Sequence, residues 1–314
     1  MSGREPGRNS ALLLLLSAAL LSGCLGLDRR VQSVEASAGA ASGGPAETSK
    51  VPESTIGTSH IDSDLAEANG ATSHAQFVEK TEDSGGSGHD ADTVLAVRYG
   101  VHDDYERAVI DLGTGEEPAT TVPEWTLTSP EGDGLLRMDL PSANATCVSN
   151  GRFADGLLRS FHVVRAPDGG MLVDFFAREP FRYRVFGLQD PARLVVDFEP
   201  GGEVLTVPPP AKGGSTVLLE PRPNSAISDP LTVSGYSRNP EATNTITLTS
   251  PRGRVLARRT VRSNDWSHTW GYFEATIDLP PLSGRGTLKV GTGNTRDGTF
   301  EGVEVPIRAN RFSR

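Results

Sequence analysis

The side chain with the clearest chemistry in this sequence is the thiol of Cys24. It follows Ser22 and Gly23 at the end of a short apolar run, residues 11–21, which is itself preceded by a basic flank. That order of basic flank, apolar core and small residues is typical of a secretory signal peptide. The apolar run is too short to form a permanent membrane-spanning helix. The sequence therefore predicts a signal peptide over residues 1–23 that directs the chain out of the cytoplasm.

The segment Leu21-Ser22-Gly23-Cys24 resembles the lipobox of bacterial lipoproteins. The resemblance implies that the Cys24 sulfur carries diacylglycerol and that this residue becomes the new N-terminus, with acyl chains such as palmitate as the anchor. Each buried methylene adds about 0.8 kcal/mol, so two or three chains would hold the protein on the extracytoplasmic face of the cell membrane. The alternative is a cysteine that stands by chance beside an ordinary signal peptide.

Catalysis needs a convergent set of groups, and the sequence offers two weak candidates. His102-Asp103-Asp104 is the densest cluster of acids and histidine in the predicted folded part, but such a cluster in a surface loop is common. Ser160 and His162 lie two apart on one predicted strand and share a face, yet no Gly-x-Ser-x-Gly elbow accompanies them. The sequence has no CxxC, HExxH, P-loop or dinucleotide motif. We therefore predict no enzyme activity, no metal site and no cofactor.

Two features favour binding instead. Arg254, Arg258 and Arg262 form a row of cations on or beside one predicted strand, and their spacing puts them on one face. A row of guanidinium groups suits anionic wall polymers or lipid headgroups, although charged edge strands that prevent sheet-to-sheet aggregation are the commoner case. Trp266 has polar residues on both sides, so we expect an exposed flat ring that could stack on a sugar. Trp270 is expected in a core.

Cys147 is the second of the two cysteines in the chain. If a lipid occupies Cys24, Cys147 has no partner within the chain, and no disulfide framework exists. We then expect a buried, unreactive thiol at Cys147, with a reactive or intermolecular thiol as the alternative.

Composition divides the chain and excludes one class of partner. The net charge is −10, without the strongly basic surface that nucleic-acid binding requires. Residues 24–92 are rich in small polar and acidic residues and contain one aromatic, Phe77. Such a segment buries too little apolar surface to offset chain entropy, so it is predicted to be a disordered acidic tether. Residues 201–214, with three consecutive prolines, are predicted to be a semi-stiff linker.

Alternation of apolar and polar residues predicts an all-β fold in two domains. Over residues 93–200 the alternating segments include a hairpin around Pro167-Asp168-Gly169-Gly170. On one strand Leu95, Val97 and Tyr99 should share the core face. Over residues 215–310 seven short strands with turn residues between them are typical of an immunoglobulin-like β-sandwich.

The first domain resembles the AMIN-like family of bacterial envelope domains. The resemblance is carried by Val97-Arg98-Tyr99-Gly100, by residues 105–113 and by residues 181–198, which end in the Asp-Pro-x-Arg-Leu-Val-Val-Asp-Phe strand typical of AMIN modules. It covers essentially all of residues 93–200. It implies a non-catalytic β-sandwich that targets proteins in the envelope, with binding to peptidoglycan.

The second domain resembles the immunoglobulin-like domain at the end of bacterial spore-germination and sporulation lipoproteins. The matching segments are residues 221–235, 253–256 and 270–277, with Asp297-Gly298 before the last strand. A proline that the family has after its Trp-Gly step is replaced here by Tyr272. A shared module does not by itself imply a role in sporulation.

These observations together predict a non-catalytic lipoprotein of the cell envelope. Its β domains would bind cell-wall glycan, with peptidoglycan as the expected partner, or other envelope proteins. The main alternative is a protein scaffold of an envelope, sporulation or germination complex without glycan affinity. A third alternative, an enzyme hidden in a β domain, requires a deep pocket with paired acids.

Overall fold

A computed structural model of the protein describes residues 54–56, 76–280, 283–293 and 298–309. All of them belong to one compact unit of the chain, residues 38–314. Their regular structure is β-strand apart from one 3₁₀ turn, Pro240–Ala242, which confirms the predicted all-β fold. None of the described residues forms a helix with the length and hydropathy needed to cross a membrane. The predicted signal peptide and Cys24 lie outside the described residues.

The first domain is built from two sheets. Its strands are β1 (Ser54–Ile56), β2 (Glu82–Gly85), β3 (Thr93–Val101), β4 (Glu106–Thr114), β5 (Glu117–Pro118), β6 (Trp125–Thr128), β7 (Leu135–Leu140), β8 (Ala145–Thr146), β9 (Asn150–Phe153), β10 (Leu158–Arg165), β11 (Met171–Ala177), β12 (Phe181–Leu188) and β13 (Arg193–Pro200). One sheet has the order β10-β11-β7-β6-β2, with β9 also on β10 and β1 on β9. The other has the order β12-β13-β4-β3-β8, with β5 on β4.

The core of this domain lies between the two sheets. Tyr99 and Ile110 of one sheet pack in the same buried cluster as Phe161 of the other, and all three are at most 1% exposed. The expected alternation on β3 is interrupted by a β-bulge between Val94 and Ala96. A bulge adds a residue to one strand and changes which side chains face inward. Val94 is therefore fully buried, whereas Leu95, which was expected on the core face, is half-buried.

The folded part begins before residue 93, so the expected tether boundary at residue 92 is too late. Strand β2 pairs antiparallel with β6, and Val78 forms a bridge with Tyr183. The Asp90 carboxylate accepts hydrogen bonds from the backbone N–H and the hydroxyl of Thr120, both at 2.7 Å. Strand β2 is half exposed at a sheet edge, so its pairing rests on backbone groups and leaves no apolar alternation in the sequence.

The second domain is the expected two-sheet sandwich. Its strands are β14 (Ala211–Gly213), β15 (Thr216–Glu220), β16 (Ala226–Ile227), β17 (Leu231–Ser237), β18 (Thr243–Thr249), β19 (Val255–Arg262), β20 (Trp270–Ile277), β21 (Gly284–Gly293) and β22 (Phe300–Ala309). The sheet β14-β15-β17-β20 faces the sheet β16-β22-β21-β18-β19. Leu218, Val233 and Phe273 of the first meet Ile246 and Leu288 of the second in a buried core.

The two domains share one sheet. Strand β10 pairs in parallel with β20 at Val164↔Trp270 and Arg165↔Gly271, which joins the two halves into a sheet of eleven strands. The linker between them is also part of the fold. The backbone N–H groups of Thr206 and Val207 donate to the Gly132 carbonyl at 2.9 and 3.0 Å, and β14 pairs with β15.

Candidate functional site

The surface between the two domains is buried and apolar. On both sides of the shared strand pair, the outer faces of the two domains' strands in this common sheet contribute to one apolar cluster. We call this cluster the domain junction; its members are Leu135, Val164, Ala166, Leu172 and Phe176 from the first domain and Val217, Leu219, Tyr236 and Trp270 from the second. Trp270 was expected in the sandwich core. It instead holds the two domains together.

Polar contacts fix the junction in one arrangement. The Trp270 Nε1–H donates to the Asn150 side-chain oxygen at 3.0 Å. An Arg222 nitrogen lies 2.5 Å from an Asp133 oxygen, and both side chains are over 90% buried. Burial raises the pKa of Asp133 and the nearby Arg222 lowers it, with burial the larger effect. Such an ion pair is costly to break, because the remaining charge stays buried without a partner.

Trp266 lies at the edge of this junction and is 42% exposed. Its indole makes no ring-stacking or cation–π contact with any residue that the structure describes. The loop that carries it is nevertheless held at its base. One Asp265 oxygen accepts the backbone N–H groups of Trp266, Ser267 and His268, at 2.6, 3.1 and 3.2 Å. An open aromatic ring thus stands on a loop whose backbone donors are satisfied.

Both domains contribute to fixing this loop. The other Asp265 oxygen lies 3.4 Å from Arg165 of the first domain. Arg238 of the second domain donates to the Ser267 carbonyl at 3.2 Å and to the Ser149 hydroxyl of the first domain at 3.1 Å. Burial alone would raise the pKa of Asp265, but the backbone donors and Arg165 together lower it below its usual range. The carboxylate therefore stays ionised and the loop stays fastened.

The sequence indicated Trp266 but missed the residues that hold it. The role of Asp265 could have been predicted from the sequence, since an Asp side chain in a turn often accepts hydrogen bonds from the backbone N–H groups that follow it. The roles of Arg165 and Arg238 could not have been predicted, because these residues lie 100 and 28 positions along the chain from their loop partners Asp265 and Trp266.

The arginine row lies on β19, the edge strand of its sheet. Arg254, Arg258 and Arg262 are all exposed. Arg258 donates to the Thr247 hydroxyl at 3.4 Å and Arg262 to the Glu241 carbonyl at 3.1 Å, while Arg254 precedes the strand in a turn closed by Ser250. No carboxylate pairs with any of the three in the described part of the chain. Among the described residues, no hydrogen bond joins the three arginines to the Trp266 loop. Their exposed positions on or beside an edge strand fit the role of charges that prevent pairing with another sheet.

The two weak catalytic candidates from the sequence lie far apart in the fold, and neither brings an acid, a base and a nucleophile together among the described residues. His102 stacks on Tyr105, with ring centroids 4.4 Å apart, and burial followed by Arg107 lowers its pKa. Asp103 and Asp104 are exposed. Ser160 and His162 do share a face, but they face the second domain. Among the described residues no group of three or more His, Cys, Asp or Glu side chains could hold a metal ion.

One further cluster, on the outer face of the six-stranded sheet of the first domain, was not anticipated. The fully buried Asp197 accepts from Arg107 at 2.7 and 3.0 Å and from Arg184 at 2.7 Å. The same guanidinium groups lie over neighbouring rings, Arg107 over Tyr105 at 5.3 Å and Arg184 over Phe77 at 4.7 Å. Because arginines already cover these rings, the cluster offers no open platform comparable to Trp266.

The structure contradicts the prediction made for Cys147. Its side chain is exposed and disulfide-bonded, whereas a buried thiol without a partner was expected. Cys24 is the other cysteine of the chain. A Cys24 sulfur that is joined to Cys147 cannot also carry a lipid, so the predicted anchor requires the form of the protein in which these two cysteines are not joined to each other.

Comparison with known families identifies part of the chain. Residues 216–299 match the model of the immunoglobulin-like domain of bacterial spore germination, which confirms the resemblance drawn for this region of the chain. Comparison with curated proteins and with solved structures found no match. The AMIN-like resemblance of the first domain and the lipobox at Cys24 stay predictions.

Proposed function

We propose that this protein is a non-catalytic lipoprotein on the outer face of a bacterial cell membrane, and that it binds cell-wall glycan at the Trp266 loop. The observation that carries the proposal is an open indole on a fixed loop. A free aromatic face can stack on the flat C–H face of a sugar ring. Because the loop is already ordered, little conformational entropy is lost when the ligand binds.

The test is co-sedimentation of the purified full-length protein with peptidoglycan sacculi. Trp266→Ala should reduce the bound fraction by about tenfold, as expected when a central aromatic anchor is removed. Phe300→Ala is the matched control, since Phe300 is also an exposed aromatic of the second domain, at 40%. Equal sedimentation of the two variants, or no sedimentation of the wild type, would reject glycan binding at this loop.

The rival function is a protein scaffold, and the family match favours it because immunoglobulin-like modules commonly bind proteins. A photo-crosslinking amino acid at position 266 separates the two in cells. Crosslinks to glycan support the proposal. Discrete protein adducts without glycan support the scaffold.

The anchor is tested separately, with a palmitate analogue in growing cells. Cys24→Ser should lose the label, and Cys147→Ser should keep it. If Cys147→Ser loses the label instead, or Cys24→Ser keeps it, the lipid is not on Cys24.

A further inference from the structure

A cavity of about 460 Å³ opens beside the domain junction. Its floor is the outer face of β10 and β11, with Ser160, His162 and Phe176, and its cover is the proline-rich segment 205–210. Lys212 and Val217 of the second domain close one side. The volume falls within the roughly 300–1,000 Å³ of ordinary small-molecule sites. The cavity exists only because the linker packs across the first domain, so neither domain alone would form it.

The inner wall of the cavity has a polar group with unmet hydrogen bonds. His162 is 2% exposed, and neither ring nitrogen has a hydrogen-bond partner in the described part of the chain. Its neighbours are aromatic: Phe176, Tyr236 and Trp270 have ring centroids 5.6, 5.4 and 5.0 Å away. Burial and then Lys212 lower the pKa of His162 well below its ordinary value, so the ring is neutral. A neutral imidazole offers one donor and one acceptor.

The charges around the cavity are mostly positive. Arg159 is exposed and forms no ion pair with any described residue. Lys212 is also exposed, and its ammonium group lies 5.7 Å from the centroid of the Trp270 ring. Arg178 lines the cavity as well, although it donates to backbone carbonyls including that of Phe153 at 3.0 Å. The acid of the lining, Asp133, is already paired with Arg222. The cations at the rim therefore attract an anionic group, and the proline, leucine and valine side chains of the lining can contact an apolar group.

We propose that this cavity binds a small amphipathic anion, an organic molecule with an apolar body and one acidic group. The apolar body lies between Phe176 and the segment 205–210, the acidic group lies near Arg159 and Lys212, and a polar atom of the ligand partners the His162 ring. This proposal does not depend on glycan binding at Trp266, so an experiment can reject one of the two proposals and leave the other standing.

The probe is anilinonaphthalene sulfonate, which is an apolar ring system with one anionic group. Titrated into the purified full-length protein, it should bind saturably at one site. Octanoate should displace it at about tenfold lower concentration than 1-octanol, because the two differ in charge and not in chain length. Absence of a saturable site, or equal displacement by the two competitors, would overturn the proposal.

Three variants assign the effect to this cavity. Arg159→Gln should weaken displacement by octanoate several-fold and leave 1-octanol unchanged, whereas Arg258→Gln, on the edge strand, should change neither. His162→Phe should weaken probe binding several-fold while the near-ultraviolet circular dichroism of the folded protein is retained. In the wild type, one imidazole ¹⁵N resonance that is missing in His162→Phe should shift when octanoate binds. A wild-type affinity in both Arg159→Gln and His162→Phe would refute the assignment.

Discussion

Tryptophan and arginine each occur in two very different surroundings in this protein. Trp270 is 4% exposed and Trp266, four positions earlier, is 42% exposed. Arg222 is buried against Asp133, whereas Arg258 is exposed on an edge strand with no carboxylate partner among the described residues. The first member of each pair belongs to the domain junction and the second to an open surface. Residue type alone therefore does not indicate which side chains stabilise the fold and which are available to a ligand.

The largest expected effect is at Trp270. Trp270→Ala should destabilise the protein by about 3–5 kcal/mol, because it leaves a cavity at the junction and removes the bond to Asn150. We also expect one urea transition in the wild type and two in Trp270→Ala, since the variant loses the largest side chain that the two domains share at the junction. Trp266→Ala is the control and should stay within about 0.5 kcal/mol. Equal losses in the two variants would contradict the contrast between junction and surface.

Arg222→Met should cost about 3 kcal/mol in urea unfolding at neutral pH, because Asp133 is then buried with no cation beside it. Arg258→Met should stay within about 0.5 kcal/mol. The pKa of Asp133 is already raised by burial, and loss of Arg222 raises it further. A folded-state pKa above the unfolded value destabilises the ionised form, so the penalty should shrink as the pH falls and Asp133 takes up a proton. A penalty that grows in acid would contradict this account.

His162→Phe should stabilise the ligand-free protein by about 1 kcal/mol, because a buried imidazole without hydrogen-bond partners is replaced by a ring that needs none. The three aromatic neighbours of His162 can accept another ring of similar size. His268→Phe is the control, since the His268 side chain is 66% exposed, and it should be near neutral. If the variant is more stable and also binds the probe more weakly, His162 contributes to ligand binding at a cost in folding stability. Destabilisation would mean that its nitrogens are already satisfied.

Most strands could be predicted from the sequence, because most bury one face and leave a period of two. The seven strands expected over residues 215–310 are all present as β15 and β17 to β22. Strand β7 was missed although Leu136, Met138 and Leu140 alternate toward the core. Its opposite face carries Arg137 and Asp139, so the alternation is present in the sequence, and the pair Leu135-Leu136 interrupts it because Leu135 is buried in the junction.

The site was only partly predictable, for a different reason. The exposure of Trp266 follows from its polar neighbours, which are local. The junction, the cavity beside His162 and the contact of Arg165 with Asp265 of the loop all depend on contacts between two domains whose sequence patterns were interpreted independently. A linker of glycine and proline gives no sign of whether it separates two domains or packs them together, and here the segment 205–210 covers a cavity.

The smallest expected effect concerns the Asp265 carboxylate under the Trp266 loop. The folded-state pKa of Asp265 is below its ordinary value, so its contribution is complete above the unfolded pKa of about 3.9 and is lost as the pH falls through the folded value. Trp125 and Trp270 are at most 5% exposed, so acrylamide quenching reports mainly on Trp266. Quenching should rise as the pH is lowered from about 5 to 2, with less than about 1 kcal/mol lost in stability. Asp265→Asn has no titrating group and should show no such step; a step that persists would place the responsible group elsewhere.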